Sequence, residues 1–162
     1  FTFSGVFSTY WKGFDLNMLW QGVAKRDLAL DGSLFWGIIG NKWWNIGLQE
    51  HMDYWTEENT DAYWARPYFE KWERKNQQTQ TRFIQNGAYL RMKSLQIGYT
   101  LPETLTQKVR INKLRVYVSG ENLLTFTKLI TIFDPEVTGG QYGSGTQYPL
   151  QKLLSAGLNV TF

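Results

Sequence analysis

Cysteine is absent from all 162 residues. A disulfide framework and thiolate chemistry are thereby excluded; assembly in a periplasm is compatible with that absence and not required by it. Long apolar runs are missing too. Residues 34–40, Leu-Phe-Trp-Gly-Ile-Ile-Gly, come nearest and fall far short of the roughly 20 residues that a spanning helix needs. A membrane, if one is crossed, must be crossed by strands, which need only about 9–11 residues each. Charge is scarce, at 19%, and the net +3 is spread along the chain. That is a solvated surface and not a nucleic-acid footprint. The single histidine, His51, sits beside Glu50 and Asp53. No spacing there supports a zinc or iron site, so it reads as a surface loop residue, and neither metal nor other cofactor is expected. Asp134 and Glu136 around Pro135 read as a turn in preference to a calcium grip. The glycines at 139–145 follow no nucleotide-binding template. No serine, histidine and acid set can be assembled, and the chain is not read as an enzyme.

What is abundant is aromatic: 17% of the chain, with eight Trp and nine Tyr. Much of it falls in segments of period two. At the end of the chain Leu154, Ala156, Leu158, Val160 and Phe162 alternate with Ser155, Gly157, Asn159 and Thr161. Successive side chains of a strand point to opposite faces, so one face is apolar and the other small or polar. The same alternation recurs at about 1–10, 14–23, 89–101 and 113–127, with the terminal strand at 150–162. Trp11-Lys12-Gly13 reads as a hairpin turn between the first two. Residues 102–112 are a second short connection, in which Pro102 and Glu103 can open one helical turn. The connections 24–86 and 128–149 are long. Within the first, Asn45 is expected to cap a turn running through Leu48, Gln49, Met52 and Trp55. Short connections fall on one side and long ones on the other, the layout of a transmembrane β-barrel with short periplasmic turns and long extracellular loops. The fold class is therefore all-β, an antiparallel transmembrane barrel. Five strands do not close a barrel, and the chain reads as the C-terminal piece of something larger.

Arg91 and Lys93 continue the apolar face of the third strand and should mark where it leaves the hydrocarbon, since either would cost about 2–4 kcal/mol at the midplane. Gly120 and Asn122 interrupt the apolar face of the fourth. Trp11, Phe14, Tyr99 and Phe162 form one aromatic girdle, Trp20 and Phe126 part of the other. Asp15, Asn17, Gln21, Arg115, Tyr117 and Glu121 point to the lumen, where plug contact is their expected role. Arg115 and Glu121 lie too far apart along one strand to pair with each other.

Four segments carry a family resemblance: Tyr-Leu-Arg-Met-Lys-Ser-Leu-Gln-Ile-Gly-Tyr-Thr-Leu-Pro (89–102), Leu-Arg-Val-Tyr-Val-Ser-Gly-Glu-Asn-Leu-Leu-Thr-Phe-Thr (114–127), Phe-Asp-Pro-Glu (133–136), and Tyr-Pro-Leu-Gln-Lys running on to Gly-Leu-Asn-Val-Thr-Phe (148–162). Their ordered set resembles the C-terminal end of the SusC/RagA family of TonB-linked outer-membrane transporters. Gly-Phe-Asp-Leu-Asn-Met-Leu-Trp-Gln-Gly (13–22) and Tyr-Trp-Thr-Glu-Glu-Asn-Thr-Asp-Ala (54–62) are similar to that family as well. The resemblance implies a 22-stranded barrel in a Gram-negative outer membrane, with these as its last five strands. It implies a plug domain, energisation through the TonB complex, and a SusD-like lipoprotein that lids the barrel over a glycan or peptide substrate. It makes Phe162 the terminal aromatic read by the barrel-assembly machinery.

In the long connection, Trp43, Trp44, Tyr54, Trp55, Tyr63, Trp64, Tyr68 and Trp72 are candidates for substrate or lid contact, since flat rings suit sugars and peptide side chains. The competing reading is a small core that holds the loop in shape; for any one residue it is the commoner fate, with one or two of the set left for ligand. Active import is the first functional expectation. The alternatives are a passive channel or structural barrel, and a soluble β-rich carbohydrate-binding module. The last would need its apolar strand faces buried against each other.

Overall fold

A computed structural model describes residues 1–39, 45–68, 75–138 and 147–162. In chain order the strands are β1 (Thr2–Trp11), β2 (Phe14–Val23), β3 (Asp27–Ala29), β4 (Ile84–Asn86), β5 (Tyr89–Thr100), β6 (Lys113–Glu121), β7 (Thr125–Thr127) and β8 (Leu153–Thr161). Two single-turn helices, α1 (Ser33–Trp36) and α2 (Glu103–Thr106), and four short 3-10 turns complete the described elements. The chain divides into two compact units. One holds 1–26, 88–127 and 150–162; the other holds 27–87 and 128–149.

The first unit is an open antiparallel sheet in the order β1-β2-β5-β6-β8, with β7 pairing β5 beyond the end of β6. Its first hairpin turns on two residues, not three. Trp11 is already paired with Phe14, and Lys12 and Gly13 both take positive φ, 47° and 90°. That is the backbone a two-residue hairpin turn requires, because its twist matches that of the strands. Pro102 precedes α2, as the sequence suggests.

Register decides which side chains share a face. Phe14, Leu16 and Met18 of β2 pair with Tyr99, Ile97 and Leu95 of β5, which pair in turn with Val116, Val118 and Gly120 of β6. Those meet Leu158, Ala156 and Leu154 of β8, while Phe3, Phe7 and Trp11 of β1 flank β2 on the same side. The face so built is apolar and bare: Phe7 is 52%, Val118 53% and Leu158 65% exposed. A soluble module would have these groups buried.

The third strand departs from its expected phase. Leu19 pairs with Ser94, yet Trp20 pairs with Met92, so Lys93 is an extra residue. A bulge of this kind inverts the faces beyond it. Arg91, expected on the apolar face, therefore lies on the polar one, opposite Gln21 and Thr125. It is buried, and its Nε donates to Thr125 Oγ1 at 2.9 Å. Leu90 and Met92 take the apolar side instead, Leu90 opposite Phe126.

The fourth strand, expected as continuous over 113–127, is two. Between Glu121↔Ser94 and Thr125↔Arg91 it carries one more residue than β5 does. Asn122 absorbs the excess at φ 53°, a left-handed conformation that asparagine tolerates. Leu123 folds back over Gly120, where an added Cβ would come within 2.7 Å of its side chain. The gap in the apolar face is thereby covered. Rings gather toward the two ends: Phe14 and Tyr99 centroids are 4.5 Å apart at one, Trp20 and Phe126 6.4 Å at the other.

The second unit shows that the long connections are not structureless. β3 and β4 pair with each other. Phe35, fully buried, sits amid Leu30, Trp64, Phe83, Leu129 and Phe133. Two of those six come from the second connection, which is also tied in by Thr131 Oγ1 donating to Glu50 Oε1 at 2.9 Å. Asn45 does not cap the turn at Gln49–Met52; its Oδ1 accepts from the Ile39 amide at 2.9 Å, and Leu48 is the residue before the turn. We expect Phe35→Ala to cost this unit about 3–5 kcal/mol. Hydrogen exchange should then show protection lost together in 27–36 and 129–133, with the strand amides of the sheet unaffected.

Candidate functional site

Two sets of side chains are the candidates for function, one in each unit. The first is the loop aromatics. Trp64 stands at the centre of the small core, 5% exposed, with Phe35 at 5.0 Å and Tyr63 at 4.8 Å between ring centroids. Its indole nitrogen donates to the Glu50 carbonyl at 2.9 Å. Tyr63 is half-buried and its hydroxyl accepts from Gln85 Nε2 at 2.6 Å. Burial pushes its phenol above the usual tyrosine range. Tyr54 packs on the core and, with Tyr68, lines an open cavity of about 560 Å³. Trp55 borders a smaller hollow of about 230 Å³. Trp43, Trp44 and Trp72 lie outside the described residues.

The cavity also draws on residues that were not among the candidates for contact: Trp36, Met52 and Arg66. Trp36 was visible only as part of an apolar run too short to span a membrane. It is brought in by α1, which turns Phe35 inward and places Trp36 edge-on to Phe83 at 4.9 Å.

His51 is more than a surface loop residue. Its Nδ1 accepts from the Leu48 amide at 3.0 Å and its Nε2 lies 3.0 Å from the Phe35 carbonyl. The amide donor at Nδ1 assigns the proton to Nε2. The ring meets Trp64 at 5.2 Å and closes over Gly37, whose φ is 72°. Among the described residues no group of three His, Cys, Asp or Glu converges as a metal site. Asp134 forms a turn, its Oδ1 accepting the Glu136 amide at 2.8 Å.

Asp53 anchors the next stretch. Its carboxylate accepts the Tyr63 amide at 3.0 Å and Asn59 Nδ2 at 3.1 Å. These donors, the amide first, hold its pKa below the ordinary 3.8. A carboxyl depressed on folding contributes stability above its unfolded pKa and loses it as pH falls through the folded value. The second unit is therefore expected to weaken only below about pH 4. Tryptophan fluorescence on heating should show this, and Asp53→Asn should flatten that part of the pH dependence.

The second set lies on the polar face of the sheet. Asp15 and Arg115 stand two strands apart, on β2 and β6. They meet across β5, Nε to Oδ1 at 2.8 Å and Nη2 to Oδ2 at 2.5 Å. The geometry is bidentate. It is possible because Gly98 is the residue between them: a Cβ there would stand 2.5 Å from both Asp15 and Arg115. The guanidinium also lies 5.1 Å from the Tyr117 ring centroid. Tyr117 in turn covers Gly157, where a Cβ would come within 2.5 Å of it. Asn17 Oδ1 accepts from Ser8 at 2.6 Å, one strand over. Gln21 and Glu121 share this face, paired in register with Arg91 and Ser94. Gly98→Ala is expected to break the pair at a cost of roughly 1–3 kcal/mol. It should lower the temperature at which the sheet unfolds, followed by circular dichroism, and Gly5→Ala, with open space at its Cβ, should not.

Comparison with known proteins places these features. No protein-family model matches the chain. It is 30% identical, over 94% of its length, to TonB-dependent receptor P3 of Formosa agariphila, and 25% identical over 79% of its length to TonB-dependent receptor P26 of the same organism. Among solved structures it is similar to a chain of the RagAB peptide transporter, at TM-score 0.69 and 29% identity over 94% of this chain. It is similar too to the RagAB peptide importer in its closed-closed state, at TM-score 0.70 and 29% identity over 98% of this chain. The chain spans 15% of each curated relative and 16% and 17% of those two structures.

Proposed function

Since the chain belongs to the SusC/RagA-type TonB-dependent transporters, as part of their C-terminal region, we propose that it is barrel wall and extracellular loop of an active nutrient importer in the outer membrane. The observation that carries this reading is the apolar sheet face. It bears no charged side chain among its paired positions, because the Lys93 bulge turns Arg91 to the opposite side. A face of that breadth in water would be an aggregation surface; against acyl chains it is at rest. The opposite face, with Asp15, Asn17, Gln21, Arg115, Tyr117 and Glu121, suits a wet lumen and a plug domain filling it. β1 and β8 are then not edges in the whole protein. Unpaired amides in lipid cost several kcal/mol each, so both pair with further strands of a barrel, 22 in all.

Work is done on this reading by the longer protein. The TonB complex supplies energy through a region outside this chain. A SusD-like lipoprotein lids the loops and presents glycan or peptide. Phe162 is the residue engaged by the barrel-assembly machinery. The chain contributes path and surface, with no covalent step.

Two measurements test the reading. Cells that import through the full-length protein should stop when the proton gradient is collapsed; a passive channel would continue, and continued uptake would remove the active-transport reading. Val118→Lys should cost about 2–4 kcal/mol of barrel stability in lipid, as a cation near the midplane does. A water-facing position would barely respond.

A further inference from the structure

Two cations of the sheet unit stand where the backbone argues against them. Among the described residues, three that are not glycine take a left-handed φ: Lys12 at 47°, Arg110 at 57° and Asn122 at 53°. Asparagine tolerates that conformation; in other residues it crowds Cβ against the following carbonyl. A two-residue hairpin turn such as Lys12-Gly13 favours asparagine or aspartate at its first position. A left-handed residue closing a helical turn, as Arg110 closes the 3-10 turn Gln107–Val109, is usually glycine or asparagine. Both places carry a basic residue instead. Each is the tip of a short connection, and the second connection adds Lys108.

Their surroundings set what these cations can meet. Trp11 lies on the apolar face with Phe3 and Phe7 and is 66% exposed; the Lys12 ammonium stands 5.0 Å from its ring centroid. The charge is thus held at the margin of the apolar face. Trp11 is paired with Phe14, whose ring packs on Tyr99, and Leu105 of α2 is exposed in the second connection. Lys12, Lys108 and Arg110 are exposed, and no carboxylate among the described residues pairs with them. Glu103 is the one acid in 102–112. Lys113 is set aside, because it shares the polar face with Arg115.

Cations just beyond exposed rings, at one rim of an apolar face, fit phosphates above acyl chains. An acidic protein would have no use for the rings. A zwitterionic headgroup brings its own ammonium and would have no use for the cations. We propose that this end of the sheet is a docking surface for anionic phospholipid, in which Lys12, Lys108 and Arg110 take headgroup phosphates while Trp11, Phe14 and Leu105 lie against the first carbons of the chains. The inference rests on the barrel reading above and adds the class of lipid that the barrel holds.

Native mass spectrometry of the full-length transporter tests it, with phosphatidylglycerol and phosphatidylcholine of identical chains supplied in equal amounts. Retention of phosphatidylglycerol is expected to exceed that of phosphatidylcholine about fivefold, the scale of one basic side chain near an anionic headgroup, and to fall as salt is raised. The triple variant Lys12→Asn, Lys108→Gln, Arg110→Asn should remove the preference. Asparagine suits both left-handed positions, so the unfolding temperature should hold or rise. Lys12→Arg with Arg110→Lys should keep the preference, and so should Lys25→Gln with Lys152→Gln, which lie at the opposite end of the sheet. Equal retention of the two lipids, a preference that survives the triple variant, or one lost equally in Lys25→Gln with Lys152→Gln would each overturn the proposal. Binding of oligoglutamate through the same three residues, with no sorting of lipids, would give the surface to an acidic protein. If the transporter retains no lipid of either kind and stays monomeric without detergent, the barrel reading falls too; if it retains both alike, only the headgroup preference falls.

Discussion

Everything in the sheet depends on keeping five strands in phase. Side chains alternate strictly, so a slip of one residue on any strand would exchange its faces. β1, β2 and β8 hold one phase from end to end. β5 does not: Lys93 is an extra residue against β2 and exchanges its faces, and the β6–β7 stretch carries one residue more again at nearly the same level, Asn122–Leu124, so that it keeps its own parity at both ends. The two irregularities answer each other. Beyond them, Trp20, Met92, Leu90 and Phe126 are again together on the apolar side, and Gln21, Arg91 and Thr125 on the polar side. A charge that would be costly in hydrocarbon becomes a buried hydrogen-bonded group on the wet face.

Glycine plays a matching part on that wet face. Gly98 and Gly157 are each the flat spot beneath a large polar side chain. Arg115 reaches over one to Asp15, and Tyr117 lies over the other. The polar surface is thus knitted across β2, β5, β6 and β8 by side chains, over and above the backbone ladder.

Much of this was legible in the residues, and what was not has a physical reason. Alternation marked the ends of the long strands to within three residues, the terminal strand starting at Leu153 and not at 150, because lipid on one side and water on the other leave a strong period. The bulge at Lys93 was not legible: Arg91 and Lys93 continue the alternation of Leu95 and Ile97 on paper, and only pairing with β2 reveals the inserted residue. The break at Asn122 left a faint sign in Gly120 and Asn122. Within 27–87 the aromatics were visible and their fates were not. Trp64 and Tyr54 share a residue class and differ by burial, which depends on Leu129 and Phe133, more than sixty residues away. Arg66 drew no notice because a lone cation in a loop has no local pattern.

The shared core of 27–87 and 128–138 has an evolutionary corollary. Each stretch supplies apolar side chains that stay out of water only because the other covers them. Recombination that replaced one stretch from a distant relative would bring in half of a lock with a foreign key. The pair should therefore be inherited as a block, each stretch changing only in concert with the other.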